Sequence, residues 1–387
     1  MRTARRGAKP VAGDPRRALA QGQARCRAPL VTRLACLLFL LLTVTSPREA
    51  FPQEQGHALC RRDDKECAAA ALKGHIVTKL AYWKRSFDRP VGERVGAAPR
   101  ELVEYLALDN IKSGFPNAPR SEPLPEDFLR DVRAAISEMP RQVRHVLSGK
   151  LAGIYFVEDL GGTGYTDMIF DAASSAVAGF VVLDPGVLDR AANAWATWKE
   201  NTPFRAAPGF RLSAVIEAER DDNRKNAIQY ILLHEFGHVL AIGEKFHPPW
   251  NIEPNDVPDT ADFPFFRLSW TVSRPANRYA SIYDAFFTQR KDVVYYLGAK
   301  LSADQTVATY RNLERTNFAT LYASTHPADD FAEAFASYVH TALMRKPFEI
   351  RIYEDGRIAR TYKSCWTEQR CAEKKRILEN FLGSAER

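Results

Sequence analysis

The segment 231–243, Ile-Leu-Leu-His-Glu-Phe-Gly-His-Val-Leu-Ala-Ile-Gly, constrains the fold of this chain more than any other stretch. On a helix, residues four apart lie one above the other, so His234 and His238 can present their imidazoles to one metal ion. The apolar residues around them predict a buried helix, in preference to an exposed helix with two solvated histidines. We therefore predict a metal site on this helix, with Glu235 beside it.

Most of the positive charge lies at the start of the chain. The net charge of all 387 residues is +7, whereas residues 1–48 alone contain ten lysines and arginines and one acid. The rest of the chain is therefore slightly acidic, which removes the main argument for a nucleic-acid partner. The basic segment, the apolar run 34–44 and the small residues after it have the order of an export signal.

We predict a leader over residues 1–50 and export of the remaining chain to the periplasm or the medium. The apolar run is much shorter than the roughly 20 residues that span a bilayer, so a cleaved leader is favoured. A retained leader that anchors the protein in a membrane is the alternative.

Four cysteines lie outside the leader and form two close pairs in the sequence. An even number of cysteines in an exported chain indicates disulfides, although four cysteines allow three pairings. A metal site made of all four is the competing interpretation, but their spacing differs from the usual zinc patterns. The spacing favours the pairs Cys60 with Cys67 and Cys365 with Cys371.

The chain after the leader divides into a helical part and a mixed part. Residues 51–148 are predicted to be a helical N-terminal region, and residues 149–387 a domain with a sheet followed by helices, which is an α+β fold. Apolar residues at helical spacing predict helices in the first part at 67–86, 100–112 and 125–148.

The mixed part begins with β-branched and aromatic runs. The strands predicted for one sheet are 154–157, 168–170, 180–183 and 212–216. The helices predicted after and between them are 187–199, 223–242, 279–297, 302–321 and 327–344. A hairpin is predicted over 349–362, around Asp355 and Gly356, and a last helix ends near residue 382.

A catalytic zinc has three protein ligands and one open position, so one more donor is required. Metzincin peptidases have a glycine three residues and a histidine six residues after the second histidine, where this chain has Ala241 and Glu244. That family is therefore excluded. His247 follows in a predicted loop, but nothing in the sequence fixes its position.

The segment 325–336 contains a stronger third ligand. Pro327 favours a helix start, and Glu333 then lies among alanines and aromatic residues, where an unpaired charge is costly. Binding to a metal ion would remove that cost.

The two segments together resemble a known family. His-Glu-Phe-Gly-His with a downstream Phe-Ala-Glu-Ala-Phe is similar to the gluzincin zinc peptidases, and more narrowly to the group that contains the anthrax lethal factor protease domain. The resemblance covers roughly residues 149–343. It implies a zincin-like fold and one catalytic Zn²⁺ bound by His234, His238 and Glu333, with Glu235 as the general base.

The chain departs from the common gluzincin pattern at one place. That pattern has an acid four residues after the ligand glutamate, where this chain has Ser337. Asp329 and Asp330 are therefore the local candidates to orient the histidines.

Two further roles are implied by the resemblance. The oxyanion needs a donor besides zinc, and Tyr322 and His326 are candidates; we favour the neutral phenol of Tyr322, with a plain core role as the alternative. Similar enzymes bind the substrate along an edge strand before the motif helix. Phe180, Val181 and Val182 are candidates for that strand, and an interior strand is the alternative.

We therefore expect a monomeric, exported zinc metalloendopeptidase that hydrolyses a protein or peptide, without a nucleic-acid partner. A zinc amidase that acts on cell-envelope material is one alternative. A non-catalytic binding protein with a zincin fold is another, and the intact His234, Glu235 and His238 argue against it.

Overall fold

The computed structural model describes residues 60–384, so the predicted leader lies outside the described part. The α-helices are α1 (Lys65–Leu72), α2 (Leu80–Phe87), α3 (Arg100–Ser113), α4 (Glu126–Ser137), α5 (Arg141–Ser148), α6 (Ala192–Asn201), α7 (Arg224–Ala241), α8 (Thr306–Leu313), α9 (Pro327–Tyr338) and α10 (Ala372–Ser384). The strands are β1 (Val95–Ala97), β2 (Leu151–Phe156), β3 (Gly164–Phe170), β4 (Ala176–Leu183), β5 (Phe210–Val215), β6 (Trp270–Ser273), β7 (Arg278–Ser281), β8 (Glu349–Glu354) and β9 (Arg357–Lys363). The α+β class predicted from the sequence is confirmed.

The main sheet has the strand order β1-β2-β4-β3. The first three strands are parallel, and β3 pairs antiparallel with β4 as the last strand. Side chains alternate across β4, so that Val181 and Leu183 pack in the core around α7, and Phe180 and Val182 pack in a second core beneath α2 and α3. Both faces of the sheet are therefore covered.

The predicted helical N-terminal region contributes directly to this sheet. It supplies strand β1, and Trp83 of α2 stacks on Phe180 with ring centroids 5.6 Å apart. The Tyr105 hydroxyl of α3 donates to Asp167 of β3 over 2.5 Å. The helices predicted at 67–86 and 125–148 are each divided in two, because Gly74 adopts a positive φ of 76° and Pro140 interrupts the second.

Strand β5 does not belong to the main sheet, so the prediction of one sheet over 154–216 is wrong. β5 pairs antiparallel with β8, and the hairpin β8–β9 completes a three-stranded sheet. The hairpin itself is confirmed. Its turn has positive φ at both Asp355 and Gly356, the conformation that asparagine, aspartate and glycine favour in two-residue hairpins.

The helix predicted at 279–297 is also wrong. That stretch holds strand β7, which pairs with β6, and a series of short turns. Its aromatic residues reach the core from this strand and these turns, without a helix. The helix predicted at 302–321 is reduced to α8, and that at 327–344 is α9 followed by one π turn, 339–343.

Two links close the ends of the described chain. The disulfides join Cys60 to Cys67 and Cys365 to Cys371, as predicted, so the alternative of a four-cysteine metal site is excluded. Among residues 60–384, no helix has the length and apolar character required to cross a membrane.

Helices α7 and α9 cross at very close range, and this crossing positions the site. A Cβ atom on Gly237 would lie 2.6 Å from the Cα atom of Ala332, a distance shorter than a normal contact. The glycine of the motif and the alanine-rich face of α9 therefore let the two backbones approach until their polar side chains meet.

Candidate metal centre

Helix α7 carries both histidines of the motif on one face. The Asn223 side chain caps its start by accepting from the Asn226 amide over 3.0 Å, and Gly243 follows its end with a positive φ of 75°. The Nε2 atoms of His234 and His238 are 3.2 Å apart. Two nitrogens bound to one zinc ion at about 2.0–2.1 Å and a tetrahedral angle would be about 3.3 Å apart. The imidazoles are therefore already spaced for one ion.

The third donor near these nitrogens is Asp329, on the first turn of α9. Its Oδ1 atom is 3.6 Å from Nε2 of His238 and 4.0 Å from Nε2 of His234. His234, His238 and Asp329 form a group that can hold a metal ion, because one donor atom from each lies within 4.8 Å of the other two. Two imidazoles and a carboxylate suit zinc as well as other divalent transition metals.

Glu333 lies behind His234 instead of beside Asp329. Its Oε1 atom is 3.1 Å from Nδ1 of His234 and accepts from the Lys199 ammonium over 2.8 Å, while Oε2 accepts from the Thr320 hydroxyl over 2.7 Å. The sequence assigned Glu333 as the third ligand and Asp329 as an orienting acid. In the structure the two positions are exchanged, because Glu333 faces the nitrogen of His234 that points away from the donor group.

The spacing of Asp329 and Glu333 matches a pattern described above, in which an acid lies four residues after the acidic ligand. With Asp329 as the donor, an acid does follow four residues later, and it is Glu333. Residues four apart share one helix face, so both carboxylates reach α7, one in front of His234 and one behind it. The four-residue spacing of Asp329 and Glu333 is visible in the sequence and could have identified this pair.

Asp330 faces another part of the molecule, so it does not orient the histidines. Its carboxylate accepts from the Lys374 ammonium of α10 over 2.6 and 2.8 Å and from the Trp270 indole over 3.0 Å. Asp330 and Lys374 are both 0% exposed. This pair attaches the last helix to α9.

Glu235 lies at the cleft beside the histidines and is held from strand β3. The Thr166 hydroxyl donates to its Oε2 atom over 2.6 Å. A Cβ atom on Gly164 would be 2.6 Å from Oε1, so glycine is needed for the carboxylate to lie against the strand. No sequence pattern indicated Thr166 or Gly164, because a strand and a helix that pack together have no fixed spacing in the chain.

The donor group opens into a small, partly open cleft. It is lined by Gly164, Tyr165, Thr166, His234, Glu235, His238, Trp250, Tyr322, Ala328 and Asp329. Trp250 was not predicted; its ring centroid is 6.0 Å from that of His238, edge to face. One wall is therefore aromatic, and the opposite wall is the end of β3.

The structure separates the two predicted oxyanion donors. Tyr322 lines the cleft with its ring centroid 5.4 Å from that of His234. His326 caps the start of α9, where its Nδ1 atom accepts from the Ala328 amide over 3.2 Å. His247 is buried outside the donor group, and its Nδ1 atom contacts the Pro248 carbonyl oxygen at 2.8 Å.

The predicted substrate strand is an interior strand, which was the alternative. Phe180, Val181 and Val182 of β4 are fully buried, and β4 pairs with β2 on one side and β3 on the other. Strand β3 is one of the two edges of the sheet, and its residues Gly164 and Thr166 line the cleft. Four consecutive apolar residues indicated burial, but the sequence does not reveal the order of strands.

The electrostatic surroundings keep both acids of the site charged. Burial alone would raise the pKa of Glu333, but the Lys199 ammonium and the contact with His234 lower it well below the usual range. Burial likewise opposes ionisation of Asp329, and the nearby imidazole of His238 holds its pKa below the ordinary value. Both groups are therefore carboxylates near neutral pH, the form that binds a cation.

Comparison of the chain with protein-family models, with curated proteins and with solved structures found no match. The chemistry of the site is therefore argued from its own residues. Two facing Nε2 atoms, one carboxylate oxygen and an adjacent supported glutamate fit a divalent metal ion with an open position.

Proposed function

We propose that this protein is a zinc-dependent metallopeptidase in which Asp329, in place of the ligand glutamate of the gluzincin pattern, is the third metal ligand. The observation that carries the proposal is the convergence of His234, His238 and Asp329 next to Glu235, at the bottom of an open cleft. Structural zinc sites use four protein ligands, whereas three protein donors leave a position for water or substrate. The donor set therefore supports a catalytic ion in preference to a structural one.

Each residue around the donor group has a separate role in the proposed hydrolysis. Bound zinc would supply an acidified water and polarise the carbonyl of the substrate. Glu235 accepts the proton of the attacking water, and the hydrogen bond from Thr166 holds its carboxylate toward the cleft. Glu333 contacts Nδ1 of His234 and so directs Nε2 toward the ion.

We propose that the substrate lies along strand β3. An extended peptide can add to the last strand of a sheet through main-chain hydrogen bonds, which fixes its direction while leaving its sequence open. The end of β3 lies in the cleft wall, and Thr166 connects it to Glu235. A peptide on this edge would pass directly in front of the donor group.

We also propose that the protein works outside the cytoplasm. The two disulfides are bonds that form and persist in oxidising compartments. The order of residues in the leader points the same way. Recovery of the mature chain from a periplasmic or medium fraction tests this, and recovery only from the cytoplasm would contradict it.

The proposed activity is tested with purified protein in two assays. We expect about one zinc per chain by elemental analysis and cleavage of fluorescein-labelled casein that stops with a chelator and returns with zinc. Glu235→Gln should keep the zinc and lose the cleavage, because it removes the base but no ligand. Purified cell wall serves as the second substrate. Cleavage of cell wall and not of casein would contradict the peptidase proposal and favour an amidase. Full activity of Glu235→Gln would show that Glu235 is not the general base.

A further inference from the structure

Tyr296 is a buried residue with two unfavourable features that the fold does not explain. Its φ is +65°, in the left-handed region that residues other than glycine rarely adopt. It is 4% exposed, and among residues 60–384 its hydroxyl has no hydrogen-bond partner. A strained backbone and an unmade buried hydrogen bond each destabilise the folded chain. Such features cluster at functional sites.

The strained backbone directs two consecutive rings to the same place. In an extended chain, neighbouring side chains point to opposite sides, yet both Tyr295 and Tyr296 are buried against Tyr322. Their ring centroids are 4.8 and 6.3 Å from that of Tyr322. The positive φ at Tyr296 thus brings its phenol to the cleft tyrosine.

The two hydroxyls of this pair differ in their partners. The Tyr295 hydroxyl donates to Glu200 over 2.9 Å, so that its position is explained by the buried ion cluster. The Tyr296 hydroxyl lies in the field of Glu333, Glu200, Asp329 and Glu235, three of which are acids of the metal centre, and it interacts electrostatically with Tyr322. In the described part of the chain it is a buried proton donor without an acceptor.

We propose that Tyr296 is a positioning residue for Tyr322. Its hydroxyl donates a hydrogen bond to the Tyr322 oxygen once Tyr322 donates to the carbonyl oxygen of a bound peptide. A phenol that accepts one hydrogen bond is a stronger donor in the next, because the two bonds polarise each other. Tyr296 therefore strengthens Tyr322 at the oxygen that gains charge in the transition state.

This inference deepens the proposed function and rests on it. No bond other than hydrogen bonds is made or broken by Tyr296, and the proton of its hydroxyl stays on Tyr296. Tyr322 alone contacts the substrate, and Tyr296 acts only through it. The effect of removing the Tyr296 hydroxyl should therefore disappear when the Tyr322 hydroxyl is already absent.

The test is a double-mutant cycle on the full mature chain with bound zinc. The proteins are the wild type, Tyr296→Phe, Tyr322→Phe and the double variant, assayed with fluorescein-labelled casein and, by calorimetry, with a peptide phosphonamidate. We expect kcat to fall about 100-fold for Tyr322→Phe and about 10-fold for Tyr296→Phe, with KM unchanged. The double variant should equal Tyr322→Phe, and phosphonamidate binding should weaken in parallel.

A matched control separates this role from the general effect of a buried hydroxyl. Tyr230 also has a buried hydroxyl without a partner in the described part of the chain, but its ring packs against His340 and Phe348. Tyr230→Phe should leave kcat and phosphonamidate affinity unchanged. Zinc content and urea unfolding are measured for every variant, and we expect Tyr296→Phe to be as stable as the wild type, since it removes only an unpaired group.

The outcomes distinguish the two proposals. If the wild type binds zinc and phosphonamidate and Tyr296→Phe matches it in kcat and affinity, the inference is overturned while the proposed function stands. Losses that multiply in the double variant would also overturn it, because Tyr296 would then act independently of Tyr322. A wild type that binds neither zinc nor phosphonamidate would overturn both.

Discussion

The two sides of helix α9 carry buried acids with different partners. On the side toward α10, Asp330 is paired with Lys374 over 2.6 Å. On the side toward α7, Glu333 is paired with Lys199 over 2.8 Å, but Asp329 faces His234 and His238 and has no ion pair with a lysine or arginine in the described chain. A carboxylate that already has an ammonium partner has little left to offer a metal ion. The acid without one is the acid that is available to bind it.

The comparison of Asp329 with Asp330 gives the largest expected effect. Asp329→Asn removes an anionic ligand, and we expect zinc affinity to fall by more than about 100-fold, since even groups that only orient ligands contribute about 10- to 100-fold. Asp330→Asn should leave the zinc affinity unchanged. Competition with a chromophoric chelator measures both. Normal affinity in Asp329→Asn, together with loss in Glu333→Gln, would return the third ligand to Glu333.

The two buried lysines should differ in what their loss affects. Lys374→Met leaves Asp330 unpaired, and we expect the free energy of unfolding to fall by about 3–5 kcal/mol with no change in zinc affinity. Lys199→Met should destabilise similarly and also weaken zinc binding by about 10- to 100-fold, because Glu333 loses the cation that fixes it against His234. Urea unfolding of zinc-free protein and zinc titration separate the two effects. Equal zinc affinity in both variants would mean that Lys199 is only structural.

The edge strand provides a comparison between two glycines of one sheet. Gly164→Ala would place a methyl group 2.6 Å from the Glu235 carboxylate, and we expect kcat to fall by about 10- to 100-fold with zinc content unchanged. Gly96→Ala in β1 is the control, because a Cβ atom there has no neighbour within 4 Å. Similar kcat values for the two variants would show that Glu235 does not depend on this strand.

The smallest effect is expected at the end of α9, where burial lowers the pKa of His340 to about 4. The unfolded chain therefore binds more protons than the folded one between about pH 6.5 and 4, so this contribution to stability is present above pH 6.5 and is lost as the pH falls. We expect the contribution of His340 to the free energy of unfolding to drop by about 1 kcal/mol from pH 6 to pH 5. Urea unfolding across this range measures it. His340→Gln should lack this part of the slope, and an unchanged slope would assign it to other groups.

Local sequence patterns predicted the parts of the molecule that depend on neighbours in the chain. The motif helix, the β8–β9 turn and both disulfides all follow from spacings of fewer than ten residues. The Asp329 and Glu333 pair was also within reach, since its four-residue spacing is a helix property. The sequence favoured Glu333 over Asp329 as the ligand, because burial of an acid indicates a partner and does not identify it.

Other errors concern contacts between distant segments. Phe180, Val181 and Val182 look like any apolar strand, and only the pairing of β3 outside β4 makes them interior. Thr166 lies 69 residues from its partner Glu235, and Lys199 lies 134 residues from its partner Glu333, on elements whose orientation no local pattern specifies. Tertiary packing determines which of these side chains meet, and a single sequence does not show that packing.

The attachment of α10 to α9 has a consequence for when the site can form. Lys374 comes 44 residues after Asp330. Strand β5 pairs with β8, which is also distant from it in the sequence. Contacts between distant residues form only when both partners have been synthesised. A chain still being synthesised therefore contains His234 and His238 before α10 is present to hold α9. The order of synthesis therefore delays completion of this support until helix α10 has been made.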